Sequence, residues 1–442
     1  LKPHSSKAQA LIEILPERLQ AEPGRVVIRP FQIAPEPRNL HATETSRVQR
    51  IVKAVLAMDM RTCQAELALV TKDFEQRHWQ TRKVFMERYD QVRAELRLNE
   101  DGMREERKEL IGAYFCHEYS YASAALMNPS IVPHPDQSGL TDGSKRVVMS
   151  LRCVGEGHIS SIAFREGILN NKGGFDLMPR PPFSVAARAT SQATEANGMV
   201  TTAERFEEMS MSGTVIFPFT QQQRNGLEDL RLVQFTEDDG EQTYYGTYTA
   251  YSGFNIASEL LVTKDFRTVE LKPMTGTAAR NKGMALFPRR IDGHYAVIGR
   301  QDGENLFYLR SKDLLHWEEG QSLMAPAYPW ELVQIGNCGS PIEIDEGWLM
   351  LTHGVGAMRK YSIGAVLLDK NDPSKVLART AHPIVSPADE DREGYVPNVV
   401  YTCGALAHGR RLFMPYGVAD SSVAFGFIDL DQLLSAMQPA PR

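Results

Sequence analysis

From Asn128 onward, short runs rich in Val, Ile, Leu, Tyr and Phe alternate with clusters of Gly, Asp, Asn and Pro, and this rhythm restricts the fold more than any other feature. The runs are Arg146 to Val154, Ile159 to Phe164, Gln242 to Ala250, Tyr295 to Gly299, Trp348 to His353 and Arg411 to Tyr416. β-Branched and aromatic side chains suit a pleated surface, and the residues between them suit turns, so the pattern predicts short antiparallel strands. Helical periodicity returns only at Leu430 to Met437. Two turns, Thr263-Lys-Asp-Phe266 and Ser311-Lys-Asp-Leu314, are near-copies 48 residues apart. A Ser/Thr-x-Asp turn recurring at about 50 residues is what four-stranded propeller blades produce. The span from Asn128 to Ser435 allows about 62 residues per blade for five blades, which fits better than four, six or seven. The expected fold is therefore mainly β, a five-bladed β-propeller preceded by an N-terminal α-helical region. Such a ring gathers polar residues from distant blades around one central depression.

Upstream the grammar is helical. Thr45 and Ser46 can cap a helix whose apolar stripe is Val48, Ile51, Val52, Val55 and Leu56. Two charge-dense stretches follow, about Lys72 to Leu96 and Asp101 to Leu126, and suit a solvated bundle or an oligomer contact. Thr71-Lys-Asp-Phe74 falls inside this region and is read as a chance match to the turn. Before it, Arg25-Val-Val-Ile-Arg29 is one strand-like run among prolines. The expected organisation is an extended segment 1–43 packing on the propeller, a helical region 44–126 and the propeller 127–442.

Charge and cysteine usage exclude some classes. The formal net charge is −6, which lacks the basic footprint of a nucleic-acid binder. No apolar run approaches the roughly 18 residues of a membrane span, and Leu1 to Lys7 lacks the apolar stretch of a secretory signal. Cys63, Cys116, Cys153, Cys338 and Cys403 are widely spaced and odd in number, so buried free thiols in a reducing cytoplasm are expected rather than disulfides or structural zinc.

The stretch Gly226-Leu-Glu-Asp-Leu-Arg231 carries the most suggestive chemistry. On a regular strand Glu228 and Asp229 point to opposite faces, so only one faces a cleft, and Arg231 shares the face of Asp229. That acid and arginine could form a structural ion pair, or a general acid beside an anion-binding group. Ser150-Leu-Arg152 leads into Gly155-Glu-Gly-His158, read as a hairpin turn carrying polar groups into the cleft, with His158 a hydrogen-bonded turn residue. Further groups are Arg280-Asn-Lys282, Arg300-Gln-Asp302, Gly336-Asn-Cys-Gly-Ser-Pro341, His353-Gly-Val-Gly356 with Arg359 and Lys360, Glu393 to Asn398, and Pro415 to Asp420. As turns and surface charges these need no function, but cations and carboxylates recur beside rigid apolar strands. No His/Asp/Glu set has metal-ligand spacing, so no metal is expected.

At these residues the chain resembles glycoside hydrolase family 130, five-bladed propeller enzymes acting on β-mannosides. The resemblance runs from Asn128 to the C-terminus. It is carried by Asn128-Pro-Ser-Ile-Val, Gly226-Leu-Glu-Asp-Leu-Arg, Leu286-Phe-Pro, Ser311-Lys-Asp-Leu-Leu-His-Trp, Gly339-Ser-Pro-Ile-Glu, Thr352-His-Gly-Val and Gly417-Val-Ala-Asp420. It implies that Asp229 is the catalytic acid, protonating the leaving glycosidic oxygen through a sugar hydroxyl while phosphate attacks the opposite face to give α-mannose 1-phosphate. It implies that Asn128, Arg152, Asp302, Glu393 and Asp420 hold the sugar, and that Arg231, Arg280, Lys282, Arg300 and His353 hold phosphate. Leu230, Thr352, Gly283 and Asn255 stand where the family more often has proline, tyrosine, an acidic residue and arginine. The implied partners are a β-mannoside oligosaccharide and phosphate as co-substrate, with no cofactor; charge and hydropathy separately leave out nucleic acid and membrane, and the charge of the helical region suits a homo-oligomer through the helices. A phosphorylase needs fixed cations for its anionic nucleophile, whereas an inverting β-mannosidase needs a second carboxylate to activate water, for which Glu259 or Glu393 are the candidates. A non-catalytic carbohydrate-binding propeller is the third reading.

Overall fold

The computed structural model describes residues 11–34, 45–194 and 198–439. The expectation for Leu1 to Lys7 falls outside them, as does the expected boundary at 43/44. The chain divides into two compact units, one of residues 23–121 with 182–186 and one of all the rest. Among the described residues, 11–22 group with the strand-rich unit, and the helical unit runs from Pro23 to Tyr121.

In the helical unit, Ser46 and Gln49 form a reciprocal capping box that starts the helix Arg47–Ala57. Asp59 caps the next, Met60–Phe74. The charge-dense stretch expected to run from Lys72 is broken here. Gln80 adopts φ 53°, and a new helix spans Thr81–Leu96. The helix Glu105–Tyr114 stops well before Leu126, because Cys116–Ser120 is extended and pairs antiparallel with Val26–Pro30. Charge density reported the solvated faces but could not mark where the backbone turned. Val52, Val55, Cys63, Leu67, Tyr89, Val92, Leu110, Ile111 and Phe115 make the core.

The second unit is a succession of antiparallel meanders. Ala125–Pro133, Lys145–Val154 and Ser160–Leu169 form the first. Gly226–Thr236, Gln242–Tyr251, Ile256–Thr263 and Thr268–Pro273 form the second, joined to the first by one parallel bridge, Gly226 to Ser160. Ala285–Leu286, Tyr295–Gly299, Leu306–Ser311 and Gln321–Met324 follow. Gln334–Asn337, Gly347–Val355, Tyr361–Leu368 and Val376–Thr380 come next. Arg411–Val418 and Ser422–Asp429 complete the run, and Ile12–Gln20 adds to it beside Ser422–Asp429. The six runs read from sequence after Asn128 lie on these strands, except that Ile159 stands one residue before Ser160–Leu169, and the earlier run Arg25 to Arg29 overlaps Val26–Pro30 of the helical unit.

The near-copied turns perform the same task in successive sheets. Asp265 accepts the backbone N–H groups of Arg267 and Thr268, and Asp313 accepts that of Leu315. Apolar side chains interlock between neighbouring meanders. Val148 and Phe164 cluster with Leu232 and Tyr248, and Phe235 and Leu260 with Val297 and Trp317. Ile298 and Tyr308 cluster with Trp348 and Met350, and Leu351 and Ile363 with Leu412 and Met414. Phe175, paired to the first sheet, lies 4.5 Å from Phe413 of the last, ring centre to ring centre. Among the described residues no helix is long and apolar enough to cross a membrane.

Candidate active site

The bend that builds the site is in the strand Gly226–Thr236. Its register with Gln242–Tyr251 slips between Glu228 and Arg231, and Asp229 takes φ 55°. A bulge inserts an extra residue and breaks the alternation of faces. Glu228 and Asp229 therefore both line one pocket, rather than opposite faces as the regular-strand expectation had it. The same device recurs at Asn128, with φ 48° and a slip between Met127 and Ser130, and Asp420 sits in a turn at φ 47°. Backbone held in the left-handed region by non-glycine residues costs free energy, and it collects at sites where side chains must be aimed.

The pocket encloses about 470 Å³ within the strand-rich unit. Asp229 is buried at its floor. Its Oδ1 accepts from Asn128 Nδ2 at 2.6 Å and from an Arg152 N–H at 3.0 Å, and Oδ2 has no hydrogen bond among the described residues. Arg152 also donates to Glu228 at 2.7 Å and to Ser160 Oγ at 2.9 Å. Burial alone would raise the Asp229 carboxyl, but Arg152, Arg231, Lys282 and the Asn128 bond outweigh it and hold it well below the ordinary carboxylate range. Glu228 is shifted the other way, because burial prevails over Arg152. Asp420 is pushed up to about 6 by burial and by the charge of Asp229, against the pull of Arg152 and Arg359.

Three further cations, Lys282, Arg300 and Arg359, line the same pocket. Arg300 is fixed from behind. Its Nε donates to the Lys282 carbonyl at 3.3 Å, and one terminal N–H meets His353 Nε2 at 3.2 Å. Gly283, at φ 89°, leaves room for it, since a Cβ there would come within 2.4 Å of Arg300 Nε. His353 is seated over Gly336, where a Cβ would lie 2.2 Å from its ring, and beside Tyr401 at 4.8 Å between ring centres. Burial and the charges of Arg300 and Arg231 drive the His353 pKa far down, so the ring is neutral and accepts through Nε2. Lys282 Nζ and the Arg359 guanidinium carry no hydrogen bond or ion pair among the described residues, although Arg359 lies over the Tyr361 ring.

The structure thus brings together six of the residues singled out in sequence: Asp229, Asn128, Arg152, Asp420, Lys282 and Arg300. It places five others elsewhere. Arg231 is buried beneath the floor, donating to the carbonyls of Cys338 and Asp229 and to Tyr401 Oη, so it contributes charge but has no N–H facing the pocket. His353 is behind Arg300 rather than on the lining. Asp302 accepts from the backbone of Glu304 and Asn305 and holds a turn. Arg280 and Glu393 are exposed and do not line the pocket. Glu259, the other candidate base, is buried away from the lining and accepts from Tyr248 Oη and from Gln223 Nε2 at 2.6 Å. Glu228, Arg359 and Asn281 stood in the stretches singled out in sequence but were given no binding role, and Gln334 was not named. The turn glycines before Arg359 were a usable signal, whereas the bulge that exposes Glu228 had none.

In fold the strand-rich unit is similar to known carbohydrate-active proteins. One is a β-1,2-mannobiose phosphorylase from Listeria innocua, solved with β-1,2-mannobiose: TM-score 0.50, 24% identity, 71% of this chain and 92% of that one covered. Another comes from a study of mannoside phosphorylase relatives that hydrolyse β-1,2 mannosidic linkages: TM-score 0.52, 18% identity, with 73% and 88% covered. The family model for β-1,4-mannooligosaccharide phosphorylase matches residues 195–439, and the chain belongs to glycoside hydrolase family 130. The Listeria innocua β-1,2-mannobiose phosphorylase is 35% identical over 50% of this chain, and the match spans 63% of that relative's length. A 1,2-β-oligomannan phosphorylase from Thermoanaerobacter is 32% identical, with 51% of this chain and 75% of the relative covered.

Proposed function

We propose that this protein is an inverting glycoside phosphorylase that cleaves β-mannosides with phosphate to give α-mannose 1-phosphate. One observation carries the reading. The lining cations Arg152, Lys282, Arg300 and Arg359 outnumber the lining carboxylates Glu228, Asp229 and Asp420 by one, and Arg231 beneath the floor adds a further positive charge, a surplus suited to an anionic nucleophile. The two cations without a hydrogen-bond or ion-pair partner, Lys282 and Arg359, are free to hold it. The names of the relatives point the same way.

Asp229 donates the proton. Both its hydrogen bonds fall on Oδ1, which leaves Oδ2 to carry a proton toward the leaving oxygen. The protein's own cations hold this carboxyl ionised. A bound phosphate dianion neutralises Lys282, repels the carboxylate and raises its proton affinity, so the nucleophile's arrival loads the acid. Phosphate oxygen then bonds to the mannosyl C1 as the C1–oxygen bond to the leaving sugar breaks, and the departing saccharide takes the proton. Arg152 stays between Asp229 and Glu228 throughout and orients both.

The surrounding fold in this reading is a five-bladed propeller. The interlocked apolar clusters between successive sheets, and the contact of Phe175 with Phe413, support a closed ring. The chemistry requires no metal or organic cofactor, because the protein supplies the positive charge. Five unpaired cysteines suit a reducing, cytoplasmic setting. The exposed Leu69 and Tyr114 of the helical unit support a homo-oligomer, which light scattering on the purified protein would test. Incubation with β-1,2- and β-1,4-mannobiose, with and without phosphate, tests the reaction. Mannose 1-phosphate formed only with phosphate is the expected result. Free mannose released equally without phosphate overturns it in favour of hydrolysis, with Asp420 or Glu228, the other two carboxylates of the lining, as the base.

A further inference from the structure

The floor and wall of the pocket account for one mannosyl ring and one phosphate, but a third feature stands at its edge. Tyr251 and Ile256 line the pocket and face each other as the last pair of one hairpin. The hairpin tip, Ser252-Gly-Phe-Asn255, carries Phe254 at 87% exposure. A lone exposed phenylalanine is ordinary on a protein surface. This one is distinguished by how it is held. Ser252 and Asn255 close the turn through two hydrogen bonds of 3.0 Å, Ser252 N–H to the Asn255 carbonyl and Asn255 N–H to Ser252 Oγ. Arg224 Nε fastens the tip by donating to the Ser252 carbonyl at 2.6 Å, and Tyr251 Oη donates to the Gly253 carbonyl at 3.2 Å. The Arg224 guanidinium lies 5.4 Å from the Phe254 ring centre, so the ring is backed by a cation while most of its surface stays open.

We infer that Phe254 is the platform for the leaving saccharide, stacking against the apolar face of a sugar ring beyond the one that reacts. This rests on the phosphorylase reading and adds to it a preference for oligosaccharide over a single mannosyl unit. The reacting mannose must reach Asp229 at the floor, so the remainder of the chain leaves through the mouth that this hairpin borders. A sugar ring has an apolar C–H face and a polar edge, and an aromatic ring fixed in advance binds that face without first being ordered. Hydrogen-bonding groups of the pocket supply orientation for the inner ring, and Phe254 supplies contact area for the outer one.

The experiment compares β-mannotriose with phosphate as varied substrates. Phe254→Ala is expected to raise the KM for β-mannotriose about tenfold, the loss of one ring contact, while the KM for phosphate changes less than twofold. Phe254→Trp is expected to restore the saccharide KM. An unchanged saccharide KM in Phe254→Ala, or an equal rise in both KM values, overturns the platform. A second measurement separates this failure from failure of the phosphorylase reading. Calorimetric titration of β-mannotriose into Asp229→Asn and into Asp229→Asn/Phe254→Ala reads affinity without turnover. Weaker binding by the double variant supports the platform whatever the reaction is. Equal binding by the two removes the platform and leaves the reaction standing, and no binding by either removes both.

Discussion

Asp229 and Glu259 are carboxylates of the same sheet, both buried, and their surroundings drive them in opposite directions. Asp229 has Arg152, Arg231 and Lys282 about it and is held ionised. Glu259 has only neutral partners, Tyr248 and Gln223, so burial prevails and its pKa rises. Burial by itself therefore says little about what an acid does; the charge of its neighbours decides. The region around Asp229 has cationic positions to spare for a ligand, whereas the region around Glu259 is closed and complete.

Variants can break that comparison or sharpen it. Asp229→Asn should cost the most, with kcat falling at least a thousandfold and saccharide affinity near normal in a titration, because a proton donor acts mainly in the transition state. Lys282→Ala should follow, lowering kcat/KM for phosphate roughly a hundredfold through loss of a charge-assisted contact, while inhibition by free mannose is unaffected. Gly283→Ala should raise the phosphate KM roughly tenfold, since its Cβ intrudes on Arg300 and an alanine resists φ 89°. A phosphate KM equal to that of the parent protein would show that Arg300 does not touch the anion.

The smallest expected effects are on stability, and the two acids should differ in sign. Glu259 has a raised folded pKa, so its contribution is fully present below its unfolded pKa and is lost as pH rises through the folded value. Asp229 has a depressed folded pKa, so its contribution is present above the unfolded pKa and is lost as pH falls toward the folded value. Glu259→Gln should accordingly gain on the order of 1 kcal/mol relative to the parent protein between pH 5 and pH 8. Asp229→Asn should lose roughly 2 kcal/mol at pH 7, leaving Arg152 with one counter-charge fewer. Denaturant melts across pH check both, and slopes of the same sign would defeat the argument.

Much of the strand-rich unit was legible in sequence because β-propensity and turn chemistry are local. Tyr295–Gly299 begins and ends where its composition says, and the copied Asp turns mark the same corner twice. The helical unit was less legible. One helix stops at Phe74 and the next begins after a left-handed Gln80, with no Gly or Pro to announce the break. The pocket was half legible: Asp229 and Arg152 could be named, but a bulge decides that Glu228 joins them, and bulges depend on pairing with another strand. Asp302 and Arg231 show the converse limit. Each has suitable chemistry, yet one is occupied by a turn and the other by three acceptors under the floor.

The pairing of Ile12–Gln20 with Ser422–Asp429 joins segments about 400 residues apart in the chain. During synthesis the early strand must wait, an unpaired edge, until the roughly 400 residues between it and its partner have left the ribosome. Its sheet is then among the last to form and, on unfolding, among the first that can open from an end. Removing those nine residues should leave the inner sheets able to assemble but deprive the last one of its outer partner, making that sheet the entry point for proteases.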